Sequence, residues 1–135
     1  MNSPAIFFKK TYEETQILLH TSRHYMRWQA PLDIKALTQE ERSRVMQETT
    51  RIAIRLSQIS AWLMVQKALE TQELSLKEAL SREYHVFRHI ASLEQVSETD
   101  AGLPQPLREL LKESRLLYLR ILRLDQTFRE AHSPT

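Results

Sequence analysis

Cysteine is absent from the 135 residues. That excludes disulfides, zinc–thiolate sites and cysteine nucleophiles, and it fits a reducing compartment. Glycine occurs once. Strand-rich folds spend glycine on tight turns and bulges, so a single glycine predicts long helices joined by few tight turns. The same scarcity removes the glycine-dependent motifs: GxxxxGK(S/T), GxGxxG and GxSxG do not occur. Long apolar runs are missing as well. The longest uncharged run, Leu56 to Gln66, has eleven residues, whereas a spanning helix needs roughly 20. Residues 1–30 show no basic start followed by a long apolar stretch, so no secretion signal is expected and the chain reads as cytoplasmic.

Neither sign of charge dominates. Nineteen Lys and Arg against 17 Asp and Glu leave a formal charge of +2 with His neutral, too little to imply nucleic acid by itself. The hydrophobic share of 41% and the charged share of 27% are those of an ordinary globular protein. The length predicts one domain over residues 1–135.

What is present is helical periodicity. Phe8, Tyr12, Thr15, Leu18 or Leu19, Ser22 and Met26 recur at three- and four-residue steps and predict a first helix from about Phe8 to Trp28. Pro31 is expected to end it near Gln29. Thr38-Gln39-Glu40-Glu41 is a capping box. It opens a second helix that runs to about Thr71, some 34 residues against a mean of about 11–12. Such length points to a bundle. Ser75-Leu76-Lys77-Glu78 is a second capping box, predicting a third helix to about Val96 with Leu76, Leu80, Tyr84, Phe87 and Ala91 inward. After the linker SETDAGLPQP, Pro106 suits a first helical position. The fourth helix extends to about Arg129 with Leu110, Ser114, Leu117, Ile121, Leu124 and Phe128 as its buried stripe. The expected fold is all-α: three main helices (the first, second and fourth) and a shorter fourth helical segment.

The second helix has an unusual wheel. Val45, Thr49, Ile52, Leu56, Ile59 and Leu63 form a heptad-like core seam. Nearly opposite lie Ile54, Ala61 and Val65, and a further arc holds Ala53, Ser57, Ser60 and Met64. A helix apolar all round is buried. Two arrangements satisfy this one: a central place in a monomeric bundle, or a second copy or another protein laid against it.

A polar stripe runs about a quarter-turn from the seam: Glu48, Arg51, Arg55, Gln58, Trp62 and Gln66. Arg51, Arg55, Gln58, Trp62 and Gln66 are the candidates for a dimer or partner interface. Glu48 can pair with Arg51. Arg55 needs a partner from another helix, and Asp125, set among apolar residues near the end of the fourth helix, is the candidate for that structural ion pair.

These same residues carry a resemblance. Glu48-x-x-Arg51, then Arg55-Leu56-x-Gln58-x-x-x-Trp62-Leu63-x-x-Gln66-Lys67-Ala68, together with Leu103-Pro104, Leu107, Leu110, Ser114, Leu117-Tyr118, Arg120 and Arg123-Leu124-Asp125, resemble the regulator of CtrA degradation (RcdA-like) family of alphaproteobacteria. Phe8, Thr15 and Tyr25 fit its first helix more loosely. The resemblance implies a dimeric helical bundle without catalytic activity or cofactor. It implies an adaptor that helps bring cell-cycle regulators such as CtrA to the ClpXP protease alongside other adaptors. Two departures stand out. Ile54 and Ser57 occupy positions where a threonine and a larger apolar residue are expected, and only ten residues follow Asp125.

Other chemistries are less well supplied. His20/His24 and His85/His89 have the i, i+4 spacing of shared metal ligands, yet both pairs fall opposite their helices' apolar stripes and no nearby carboxylate offers a second shell. No metal or cofactor is expected. Arg108, Lys112, Arg115 and Arg123 line an outer arc of the last helix and could track phosphates, the alternative to the adaptor reading. Glu109 and Glu113 interrupt that arc, which favours an ordinary solvated face.

Overall fold

The structure, a computed structural model, describes residues 4–84 and 93–132. The elements in order are α1 (Pro4–His24), a π-helical turn (Tyr25–Gln29), α2 (Ala30–Asp33), a 3-10 turn (Ile34–Ala36), α3 (Gln39–Glu70), α4 (Leu76–Ala79), 3-10 turns at Arg82–Tyr84 and Val96–Thr99, and α5 (Gln105–Ala131). The fold is all-α, with α1, α3 and α5 as its long helices, and α3 and α5 share the most extensive interface.

Both capping boxes are formed. The Thr38 hydroxyl accepts from the Glu41 amide at 3.1 Å while Glu41 accepts from the Thr38 amide at 2.9 Å. Ser75 and Glu78 repeat the exchange at the start of α4. Each box satisfies two amides that a helix start otherwise leaves open. At the far end of α3, Gln72 adopts φ 63°. Its amide donates to the Leu69 carbonyl at 3.2 Å and the Glu73 amide to the Ala68 carbonyl at 2.8 Å. This is the left-handed helix stop that glycine usually occupies; in a chain with one glycine, glutamine takes the place.

Three sequence expectations are corrected. First, Pro31 does not stop the first helix. A π turn precedes it, the Ala30 amide reaching back five residues to the Tyr25 carbonyl, and Pro31 falls in the first turn of α2, where no amide proton is required. Tyr25 Oη donates to Asp33 at 3.3 Å and Gln29 Nε2 to Asp33 at 2.8 Å across the corner. Burial and the Asp33 carboxylate push the Tyr25 phenol well above its ordinary pKa. Second, the third helix is not continuous: α4 is one turn long and gives way to the 3-10 turn at Arg82–Tyr84. Leu76 is exposed and Leu80 half-buried; Phe87 and Ala91 lie outside the described residues. Third, the inward face of α1 is turned from the expected stripe. Thr11, Thr15, Leu18, Ser22 and Tyr25 are buried, while Tyr12 is exposed.

The core is assembled from the predicted α3 seam and a broader face of α5 than expected. Ile52, Ile59, Leu107 and Ile121 are wholly enclosed, whereas Leu124 and Phe128 are only half-buried. The opposite side of α3 is open along most of its length: Ala53, Ile54, Ser57, Ala61 and Met64 are exposed, while Val65, expected on the same arc, is buried. No helix among the described residues is long and apolar enough to cross a membrane.

Candidate functional site

The polar stripe of α3 faces the chain's own interior. Arg55 is fully buried. Its Nη1 donates to the Leu111 carbonyl at 2.8 Å and to Ser114 Oγ at 3.0 Å, and its Nη2 donates to the Glu94 carbonyl at 2.9 Å. A planar fork with several fixed donors suits such a set of acceptors. Burial, together with the neighbouring Arg51 cation, pulls the guanidinium down to about 10, so it remains charged at neutral pH.

Around Arg55 the connector before α5 is held by alternating charges. Arg51 donates to both oxygens of Glu48, at 2.8 and 3.3 Å, and approaches Glu94 at 3.6 Å. Arg115 makes two hydrogen bonds to Glu98, which hold its guanidinium above the ordinary arginine value. Arg44 pairs with Asp100. Glu94 itself accepts from the amides of Val96 and Ser97, capping the 3-10 turn that follows.

Two turns further along α3, the indole Nε1 of Trp62 donates to Asp125 Oδ1 at 3.0 Å. Asp125 also accepts from Arg129 Nε at 3.1–3.2 Å. Arg129 in turn donates to the carbonyls of Leu80 at 2.7 Å and Ser81 at 3.2 Å, just after α4. The pair expected between Arg55 and Asp125 is thus replaced by two separate ties. The reason is distance along the helix: Asp125 lies eleven residues beyond Ser114, about 16 Å at 1.5 Å per residue. The i, i+4 spacing of Asp125 and Arg129 was the available signal for the ion pair that does form. The grip of Arg55 on the Glu94 carbonyl left no sequence signal, because any residue supplies a carbonyl.

As interface candidates, the stripe residues therefore stand mostly inside one chain. Arg55, Trp62 and Gln66 are buried, and only Arg51 and Gln58 are half-exposed. Gln58 Oε1 is buried without a hydrogen-bond partner. The His20 and His24 rings stack at 6.5 Å on the surface of α1; His85 and His89 lie outside the described residues. Among the described residues no three of His, Asp and Glu converge as a metal set. The basic arc of α5 is partly occupied: Arg115 is bound to Glu98, and Arg108 donates to the Leu103 carbonyl.

Chemically, this is a tie between helices. Its groups are a guanidinium that stays charged, a serine hydroxyl, an indole, and carboxylates facing cations. It defines a helical bundle whose long helices are locked by buried polar bonds. A family model described as "Protein of unknown function (DUF1465)" matches residues 2–135, and the chain belongs to that family. The structure of RcdA from Caulobacter crescentus CB15 is similar at a TM-score of 0.72 and 28% identity, over 90% of this chain and 89% of that one. No curated protein gives a match. The chain is RcdA-like, as the motifs suggested, and its α3 and α5 motif residues include those that tie the two helices together.

Proposed function

We propose that the chain is a non-enzymatic adaptor or scaffold in regulated proteolysis, helping to deliver cell-cycle regulators such as CtrA to the ClpXP protease, and that it works in the cytoplasm as a homodimer. The observation that carries this reading is the likeness to RcdA over nine-tenths of the chain. The site supports it. Arg55, Trp62 and Asp125 of the α3–α5 seam are held by internal bonds, so they build a rigid platform and leave binding to outer faces. Those faces include an open, uncharged side of α3, and unpaired apolar surface of that kind is where protein partners dock. The occupied arginines of α5 lend the nucleic-acid alternative no support.

A native pull-down from cell extract tests the class of function. Recovery of protease subunits and a regulator substrate is the expected result. Recovery of nuclease-sensitive material in their place would favour the nucleic-acid alternative.

A further inference from the structure

The end of α1 and the π turn after it carry cations that no carboxylate answers. Arg23 and Arg27 stand four residues apart and are both exposed, and like charges at that spacing repel. No acidic residue occurs from Thr15 to Leu32, and Asp33 is engaged by Tyr25 and Gln29. Neither arginine forms an ion pair among the described residues. Arg27 lies over the ring of Trp28 at 5.2 Å, a contact that leaves its charge uncompensated, and Trp28 is 60% exposed. The facing helix adds no free acid. Between Met46 and Met64 the charged residues of α3 are Glu48, Arg51 and Arg55; Glu48 is bonded to Arg51, and Arg55 is fully buried. Beside the cations runs a groove between α1 and α3. Leu19, Met26 and Leu56 give it an apolar lining, Arg23 lines it from α1, and Ser57 and Ser60 line it from α3. Ser22 lines it too, only 3% exposed, and its hydroxyl has no hydrogen-bond partner. Buried polar groups are nearly always paired, so this one calls for a partner from outside the chain.

We infer that this groove receives an acidic amphipathic segment of a partner protein, its apolar side chains against Leu19, Met26 and Leu56 and its carboxylates against Arg23 and Arg27. The inference rests on the adaptor reading above and adds the chemistry of one docked partner. A helix laid in a groove presents anchors at three- and four-residue steps. The same steps set acidic residues along its flank, matching the four-residue interval of the two arginines. The arginine fork takes a carboxylate through two parallel bonds. A hydroxyl both donates and accepts, so a carbonyl or a polar side chain of the segment satisfies Ser22. Charge decides the sign of the partner: a basic segment would meet two cations and no free acid. The lining decides its class. Duplex binding is driven by neutralising many phosphates, two arginines are few for that, and a phosphate backbone would leave the apolar lining and Trp28 uncovered.

Selection of a random peptide library on the full chain tests this. Peptides recovered on wild type are expected to combine Asp and Glu with Leu, Met or Phe. By fluorescence anisotropy, Arg23→Glu with Arg27→Glu should weaken a recovered peptide at least about tenfold, since like charges brought together across an interface are strongly unfavourable, and added salt should weaken its binding to wild type. Both arginines are exposed, so the helix content should be retained in circular dichroism; if it is not, Arg23→Gln with Arg27→Gln makes the same comparison. Ser57→Trp, which fills the groove from an exposed position, should weaken the peptide without changing the charge. A selection that returns no peptide, or peptides that bind the arginine and Ser57→Trp variants as tightly as wild type, would overturn the inference. A DNA duplex that binds more tightly than the peptide and is lost on the same arginine changes would assign the cations to phosphates and overturn it as well. So would a peptide that binds only by splitting a dimer into 16.0 kDa chains, which would give the groove to a second copy. Peptide binding with no protease in the native pull-down would leave the groove standing and remove the adaptor reading; protease recovered with no peptide binding would do the reverse.

Discussion

Trp62 and Asp125 are 63 positions apart in sequence, and the indole of one donates to the carboxylate of the other at 3.0 Å inside the bundle. Phe8 packs against the same indole at 5.6 Å between ring centroids. One side chain thus joins α1, α3 and α5. Trp62→Ala should cost about 3–5 kcal/mol, the usual loss for a buried aromatic. Trp62→Phe keeps most of the packing and removes the hydrogen bond, and should cost less. Thermal melts of the three proteins check the order. A melt of Trp62→Ala that matches wild type would contradict the burial.

Arg55 is the second tie. Arg55→Met removes its donors and should destabilise by about 1–3 kcal/mol, the cost of stranding buried acceptors. Arg55→Lys should recover only part of this, because an ammonium lacks the planar fork that serves Leu111, Ser114 and Glu94 together. Urea titrations give the comparison. An Arg55→Met midpoint equal to wild type would mean that the apolar chain replaces the guanidinium without loss.

Gln72 holds a left-handed conformation that costs an L-residue roughly 1–2 kcal/mol. Gln72→Gly should therefore raise stability, by about 1 kcal/mol once the greater freedom of the unfolded chain is deducted. A lower melting temperature for the glycine variant would show that the Gln72 side chain contributes more than its backbone costs.

The capping boxes give a pH dependence with a defined sign. Hydrogen bonds from Thr38 and Ser75 hold Glu41 and Glu78 below the ordinary glutamate value of 4.5. A carboxylate whose pKa is depressed on folding stabilises fully above its unfolded value and loses that effect as pH falls through the folded value. The α3 and α4 starts should therefore fray on acidification below 4.5. Thr38→Ala removes the hydroxyl but keeps the amide, the larger of the two causes, so it should move Glu41 only part of the way back in a carboxyl NMR titration. An unshifted Glu41 in the wild-type chain would remove the basis for this dependence.

Much of the fold was legible because it follows from local rules. Capping boxes at Thr38 and Ser75 and the seam from Val45 to Leu63 depend only on neighbours three and four residues away. The continuation through Pro31 was not legible, since a π turn is chosen by the packing of Tyr25 and by its bond to Asp33. Nor was the break after Ala79, because Leu80 and Leu76 keep helical spacing whether or not the helix continues. The polar stripe could be read as a stripe. That it faces inward, with Arg55 answered mainly by carbonyls, is a tertiary fact.

Reconstitution tests whether the chain is an adaptor for regulated proteolysis. Loss of fluorescently labelled CtrA is followed with purified ClpXP and the cell's other adaptors, with and without this protein. Degradation is expected to be faster when the chain is added, and slower when Trp62→Ala, held at a temperature where it is unfolded, replaces it. A CtrA degradation rate that does not change on adding the folded chain would contradict the claim.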